Sequence, residues 1–162
     1  DLDIHGYSSI GLNRSEHIDL IDLLNKFISF SLQTLQTAIA KKYGVDDFKV
    51  FASWLRSLNY LRNLAAHHSR LWNREFGISI VIPTSQDILW LKIAPQLTNH
   101  IKFERRVYAA LVMIQVLLYR ISPNSTWAKR LQALLLKYPT IPMINMAIPK
   151  NWEADDFWVN AL

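Results

Sequence analysis

The sequence predicts an all-α fold, a helical bundle with an irregular connecting arm and an irregular C-terminal tail. Three observations carry that prediction. Residues 14–43 contain neither glycine nor proline, and Ile21, Leu24, Ile28, Leu32, Leu35 and Ile39 recur at three- and four-residue spacing. Further apolar series of the same period follow. The one alternating stretch, Ile78, Ile80 and Ile82 against Ser79 and Val81, is too brief to found a sheet. With 162 residues, 51% hydrophobic and 19% charged, the chain suffices for one domain with a real core and is not a disordered tail.

The first helix is one long element or two nearly collinear ones, with Asn13 or Ser15 as its cap and Gly44 after Lys41-Lys42-Tyr43 as its stop. Asp46 or Asp47 then caps a second helix, whose inward face reads Phe48, Phe51, Trp54, Leu55, Leu58, Leu61 and Ala65. Residues 77–103 read as the arm. Helical spacing resumes near Glu104, with Val107, Leu111, Ile114, Leu118 and Ile121 on one side, and ends before Pro123. Asn124 or Ser125 caps a last helix that buries Trp127, Leu131, Leu134, Leu135 and Tyr138. The tail from Pro139 lacks a sustained period and is expected to anchor through Trp152 and Trp158.

The chemistry-bearing stretch runs from Tyr60 to Arg74 and is expected to be helical. At about 100° per residue, Asn59, Asn63 and His67 form one polar row opposite Leu58, Leu61 and Ala65. Arg70 and Arg74 continue that row, and Arg62 reaches into it from the edge through its long side chain. RNA carries its own nucleophile in the 2'-hydroxyl. Cleavage therefore needs a proton acceptor, a cation for the phosphoryl oxygens and help for the departing 5'-oxygen. Arg62 supplies a fixed charge and His67 a proton acceptor that works near neutrality, while Asn63 is expected to orient the imidazole by hydrogen bonding. One segment offers one such set, so acid–base work calls for a second copy in a two-fold dimer.

Other features narrow the class. The chain has no cysteine, which excludes disulfides, thiolate metal sites and cysteine nucleophiles and is compatible with a cytoplasmic location. A net charge of +5 leans towards an anionic partner. The longest apolar run, Val107–Tyr119, falls short of the roughly 20 residues that cross a bilayer. His67 and His68 together invite zinc, but adjacent helical side chains diverge and no carboxylate stands at ligand spacing, so neither metal nor cofactor is expected. On the same helical geometry His68 points away from the row and reads as a supporting residue. Arg70 and Arg74 suit either RNA phosphates or the helix's terminal carbonyls. Lys102, Arg105 and Arg106 read as a solvated helix start, and His5, His17 and His100 as incidental.

Leu61-Arg62-Asn63-Leu64-Ala65-Ala66-His67-His68-Ser69-Arg70-Leu71-Trp72-Asn73-Arg74 resembles the hallmark L-R-N-x-x-A-H-H-x-R-L-W-N-R of the Abi-like proteins of the AbiD/AbiF abortive-infection group. The likeness extends to Ile39-Ala40-Lys41-Lys42-Tyr43-Gly44, to Phe51-Ala52-Ser53-Trp54-Leu55, and to Ile148-Pro149-Lys150-Asn151-Trp152 with Trp158. That family is similar to the HEPN superfamily of helical domains, whose active members carry an arginine followed after four to six residues by a histidine. The resemblance implies a metal-independent endoribonuclease of phage defence or of a toxin–antitoxin system, with Arg62, Asn63 and His67 catalytic. Asn59, His68, Arg70 and Arg74 then bind RNA or support the site. The implied partners are an RNA substrate, a second copy of the chain and an antitoxin RNA or protein. The alternative is a non-catalytic RNA-binding or regulatory dimerisation module. Abi-like proteins usually carry a further N-terminal region, and residues 1–162, without an initiator methionine, read as the single C-terminal domain of one.

Overall fold

The structure is a computed structural model and describes residues 14–92 and 102–162. Asn13, His5 and His100, and the side chains of His17, Ile21 and Leu24, lie outside the described residues. Within them the fold is all-α and contains no strand, with helices α1 (Arg14–Lys42), α2 (Phe48–Ala66), α3 (Val107–Ile121), α4 (Trp127–Lys137) and α5 (Asp156–Val159). None of these is long and apolar enough to cross a membrane. Two compact units divide the chain, residues up to Thr37 and Ala38–Leu162.

The first unit holds most of α1. Its helical period is as expected, yet Ile28, Leu32 and Leu35 of the stripe are exposed, as are Leu23, Phe27 and Phe30. The apolar period forecast the helix but not its burial. α1 continues into the second unit and ends as the sequence indicates. Gly44 takes φ 77°, Gly44 N–H donates to Lys41 O at 2.9 Å, and Val45 N–H donates to Ala40 O at 3.1 Å. That pair of bonds is a Schellman reversal, for which glycine is the usual residue. A Cβ at Gly44 would also stand 3.0 Å from Cγ of Arg120.

The second unit is built around α3. Tyr108, Ala109, Ala110, Val112, Met113, Gln115, Val116 and Leu117 are buried, so most of its circumference faces protein. The expected face of Val107, Leu111, Ile114 and Leu118 is half-buried, and Ile121 is exposed. A helix apolar all round carries no moment strong enough to say which side is innermost. The helix also starts later than expected. Phe103–Arg105 forms a 3-10 turn, and Arg106 breaks it with extended geometry before Val107. In α4 Trp127, Leu131 and Leu135 are half-buried and Ala128 buried, whereas Leu134 and Tyr138 are exposed. Ser125 Oγ accepts from Trp127 N–H at 3.2 Å, although Thr126 holds the capping position.

The tail closes the core as expected, with Trp152 and Trp158 buried. Trp158 stacks on Tyr108 and Trp127 and meets the edges of Trp152 and Phe157. Its indole N–H donates to the Tyr108 hydroxyl at 3.0 Å. Burial pushes that hydroxyl well above the ordinary tyrosine range, so it remains neutral. Asp155, also buried, caps α5 by accepting from Phe157 N–H at 2.9 Å and accepts from Lys92 N–H at 3.0 Å, which ties the arm to the tail.

The arm itself runs antiparallel to α2. Tyr60 Oη accepts from Gly77 N–H at 3.0 Å, Trp54 Nε1 donates to Val81 O at 2.8 Å, and Ser85 Oγ donates to Asp46 Oδ2 at 2.9 Å. Tyr108→Phe should lower stability by about 1–3 kcal/mol, because it strands a buried indole N–H. Urea unfolding checks this as a lower midpoint at unchanged slope.

Candidate functional site

α2 presents the polar row because its other side is committed to the core. Asp47 begins the helix by accepting from Lys49 N–H at 2.7 Å, one of the two aspartates expected to do so. Val50, Phe51, Trp54, Ser57 and Leu61 are buried, and Phe48 and Leu58 half-buried. Leu55, placed inward by the sequence reading, is 48% exposed, and Ala65 is exposed too. The inward stripe follows residues 50, 54, 57 and 61, and Leu55 stands about 100° from Trp54. Asn59, Arg62, Asn63 and His67 accordingly face solvent.

The row is not arranged as expected in one respect. Asn63 Oδ1 accepts from Arg62 Nη1 at 3.1 Å, so the carboxamide orients the guanidinium rather than the imidazole. This bond bends Arg62 from the edge into the row. A guanidinium held by one neutral acceptor keeps further donors for phosphate.

The larger correction concerns the helix's end. α2 stops at Ala66 and does not run to Arg74. His67 N–H donates to Asn63 O at 3.1 Å, His68 N–H to Ala65 O at 3.0 Å, and Ser69 N–H to Leu64 O at 2.9 Å. His68 takes φ 52°. This is the same Schellman reversal that ends α1, with histidine where α1 has glycine. A left-handed residue with a Cβ costs about 1–2 kcal/mol. The sequence reading missed the stop because no glycine marks it. Arg70 and Arg74 therefore leave the helical row, and the rotation that separates His67 from His68 on a continuous helix does not apply.

Beyond the reversal Arg70 is exposed and lies over the Trp72 ring, its guanidinium carbon 5.6 Å from the centroid. Trp72 is 36% exposed, unlike the buried Trp54, Trp152 and Trp158. Arg74 is half-buried. Next, Glu75 pairs with Arg105 at 3.1 Å and Arg106 at 3.8 Å, Phe76 N–H donates to Arg105 O at 2.8 Å, and Arg105 Nε donates to Phe76 O at 3.0 Å. Arg105 and Arg106, expected to be solvated, instead fasten the end of the segment to the start of α3. Neither they nor Glu75 and Tyr60 carry a local sequence signal for that task, since their partners lie 17 or more residues away.

The electrostatics follow from composition. Residues 48–74 hold Lys49, Arg56, Arg62, Arg70 and Arg74 and no aspartate or glutamate. The first acid beyond them, Glu75, is occupied. Among the described residues no group of three histidine, aspartate or glutamate side chains stands together as a metal cage. A cleft of about 890 Å³ opens elsewhere, between the end of α4 and the tail, lined mainly by apolar residues including Tyr108, Leu135, Ile141 and Trp152. It shares no residue with the arginine-histidine segment.

Comparison with known families matches residues 15–73 to the model of the Abi-like protein family. Over this span the chain is similar to the Abi-like protein family. The match takes in nearly all of α1, the Gly44 reversal, α2 and the chain through Asn73, leaving Arg74 and the Ile148–Trp152 run outside it. No curated protein and no solved structure matches. Within the matched segment, His68→Gly should stabilise the fold by about 1 kcal/mol by relieving the left-handed residue, whereas His68→Val should destabilise it. Thermal or urea denaturation of the two variants gives the comparison.

Proposed function

We propose that this protein is a metal-independent endoribonuclease of the HEPN type acting in phage defence or as the toxin of a toxin–antitoxin system. The observation that supports it best is the solvent-facing Arg62-Asn63-His67 array at the end of α2, with Arg62 tethered to Asn63, on a stretch without acids. In this reading His67 removes the proton from a ribose 2'-hydroxyl, and the freed oxygen attacks the adjacent phosphorus. Arg62 binds the phosphoryl oxygens as negative charge grows on them, an interaction that strengthens toward the transition state. The bond from phosphorus to the 5'-oxygen breaks and that oxygen takes up a proton, leaving a 2',3'-cyclic phosphate and a 5'-hydroxyl. Asn63 holds the Arg62 fork in place, and Asn59, Arg70 and Arg74 bind flanking RNA. A homodimer that faces two segments across one RNA doubles the guanidinium charge at the phosphate. An antitoxin RNA or protein would act by covering this surface.

Purified protein incubated with RNA in EDTA should cut it, because no step needs an ion. His67→Ala should lower the rate roughly 10²- to 10⁴-fold, the usual worth of a positioned base. Replacing the ribose at the cut site by deoxyribose should abolish cleavage. Activity that vanishes on chelation would defeat the proposal. If the parent protein binds RNA in a salt-dependent manner but never cuts it, and His67→Ala binds equally well, the chain is an RNA-binding module.

A further inference from the structure

The two reversals of this chain solve one geometric problem with different residues. At the end of α1 the left-handed position is Gly44, and at the end of α2 it is His68, with the same pair of backbone bonds at each. The backbone alone asks for glycine at both. The other non-glycine residue in this conformation among those described, Ala147, is fully buried, where close packing limits it to a small side chain. His68 is exposed, and among the described residues its imidazole takes part in no hydrogen bond, ion pair or ring contact. The fold thus accepts a strained histidine and makes no use of its side chain. Strain held without structural return, beside a polar array, belongs with function.

Resting on the ribonuclease reading, we propose that His68 is a second catalytic histidine, the general acid that protonates the departing 5'-oxygen, so that one copy of the chain carries both proton-transfer groups. His67 and His68 are consecutive, with Cα atoms about 3.8 Å apart. Both lie at the reversal, where the chain leaves the helical path that would set their side chains apart. The step balances. His67 accepts the 2'-hydroxyl proton as the bond from the 2'-oxygen to phosphorus forms. His68, entering as the imidazolium, gives its proton to the 5'-oxygen as the bond from phosphorus to that oxygen breaks. His67 leaves with one proton more and His68 with one fewer, and exchange with water restores both. The second subunit's histidine is not required for the acid, and its contribution is charge.

The test compares two substrates cut at one mapped position, plain RNA and the same RNA with sulfur replacing the bridging 5'-oxygen. A thiolate departs without being protonated, so the sulfur substrate needs a base but no acid. Expected is a loss of about 10²-fold or more for His68→Gly on plain RNA, with recovery to within about threefold of the parent on the sulfur substrate. His67→Ala should be slow on both. Glycine is the residue the reversal favours, so a slow His68→Gly protein with parental or greater thermal stability cannot be ascribed to misfolding. Parental activity of His68→Gly on plain RNA would overturn the proposal. An equal loss on both substrates would do so as well, and would assign His68 to phosphate binding. Failure of the parent itself to cut either substrate would remove the ribonuclease reading first.

Discussion

The carbonyl groups in the last turn of a helix must find donors, and how α2 finds them governs the rest of the site. Leu64 and Ala65 are satisfied by the N–H groups of Ser69 and His68, which requires the chain to reverse at once through a left-handed residue. Continuing the helix would instead carry Arg70 and Arg74 along the same face as Asn63 and His67. Because it stops, the polar groups are divided between a helical platform, Asn59, Arg62 and Asn63, and an irregular rim that holds Arg70, Trp72 and Arg74.

Electrostatics act on the same geometry. The stretch from Phe48 to Arg74 lacks acids, so nothing within it neutralises the arginines, and the adjoining Glu75 is turned to Arg105 and Arg106. That arrangement does two things with one carboxylate. It fastens the rim to the start of α3 and keeps the negative charge in a local pairing. Surface pairs of this kind add little stability by themselves. Here the backbone exchange between Phe76 and Arg105 supports the pairing, and the geometry is fixed by several weak ties acting together.

How far the sequence revealed all this depends on how local each cause is. The end of α1 was legible because Gly44 declares a left-handed residue by its type, and the start of α2 because Asp47 declares a cap. The end of α2 was illegible for the same reason inverted, since His68 carries no such declaration. The inward side of α3 could not be read from a helix apolar all round, and the burial of Trp152 and Trp158 could, because two tryptophans in an aperiodic tail have few other uses. At the site the residue types and the solvent-facing row at 59, 63 and 67 followed from helical spacing. The bond between Arg62 and Asn63 and the roles of Tyr60, Glu75, Arg105 and Arg106 depend on rotamers and on partners distant in the chain. No periodicity encodes either.

The arm running back along α2 deserves a mechanical reading. Hydrogen bonds at Tyr60 and Trp54 of α2, and at Asp46 just before it, engage Gly77, Val81 and Ser85 in reverse order, like a splint laced along a rod and its base. Sliding the helix along its axis would break every lacing together, and bending it would stretch those on one side. α2 therefore behaves as a strut of fixed length.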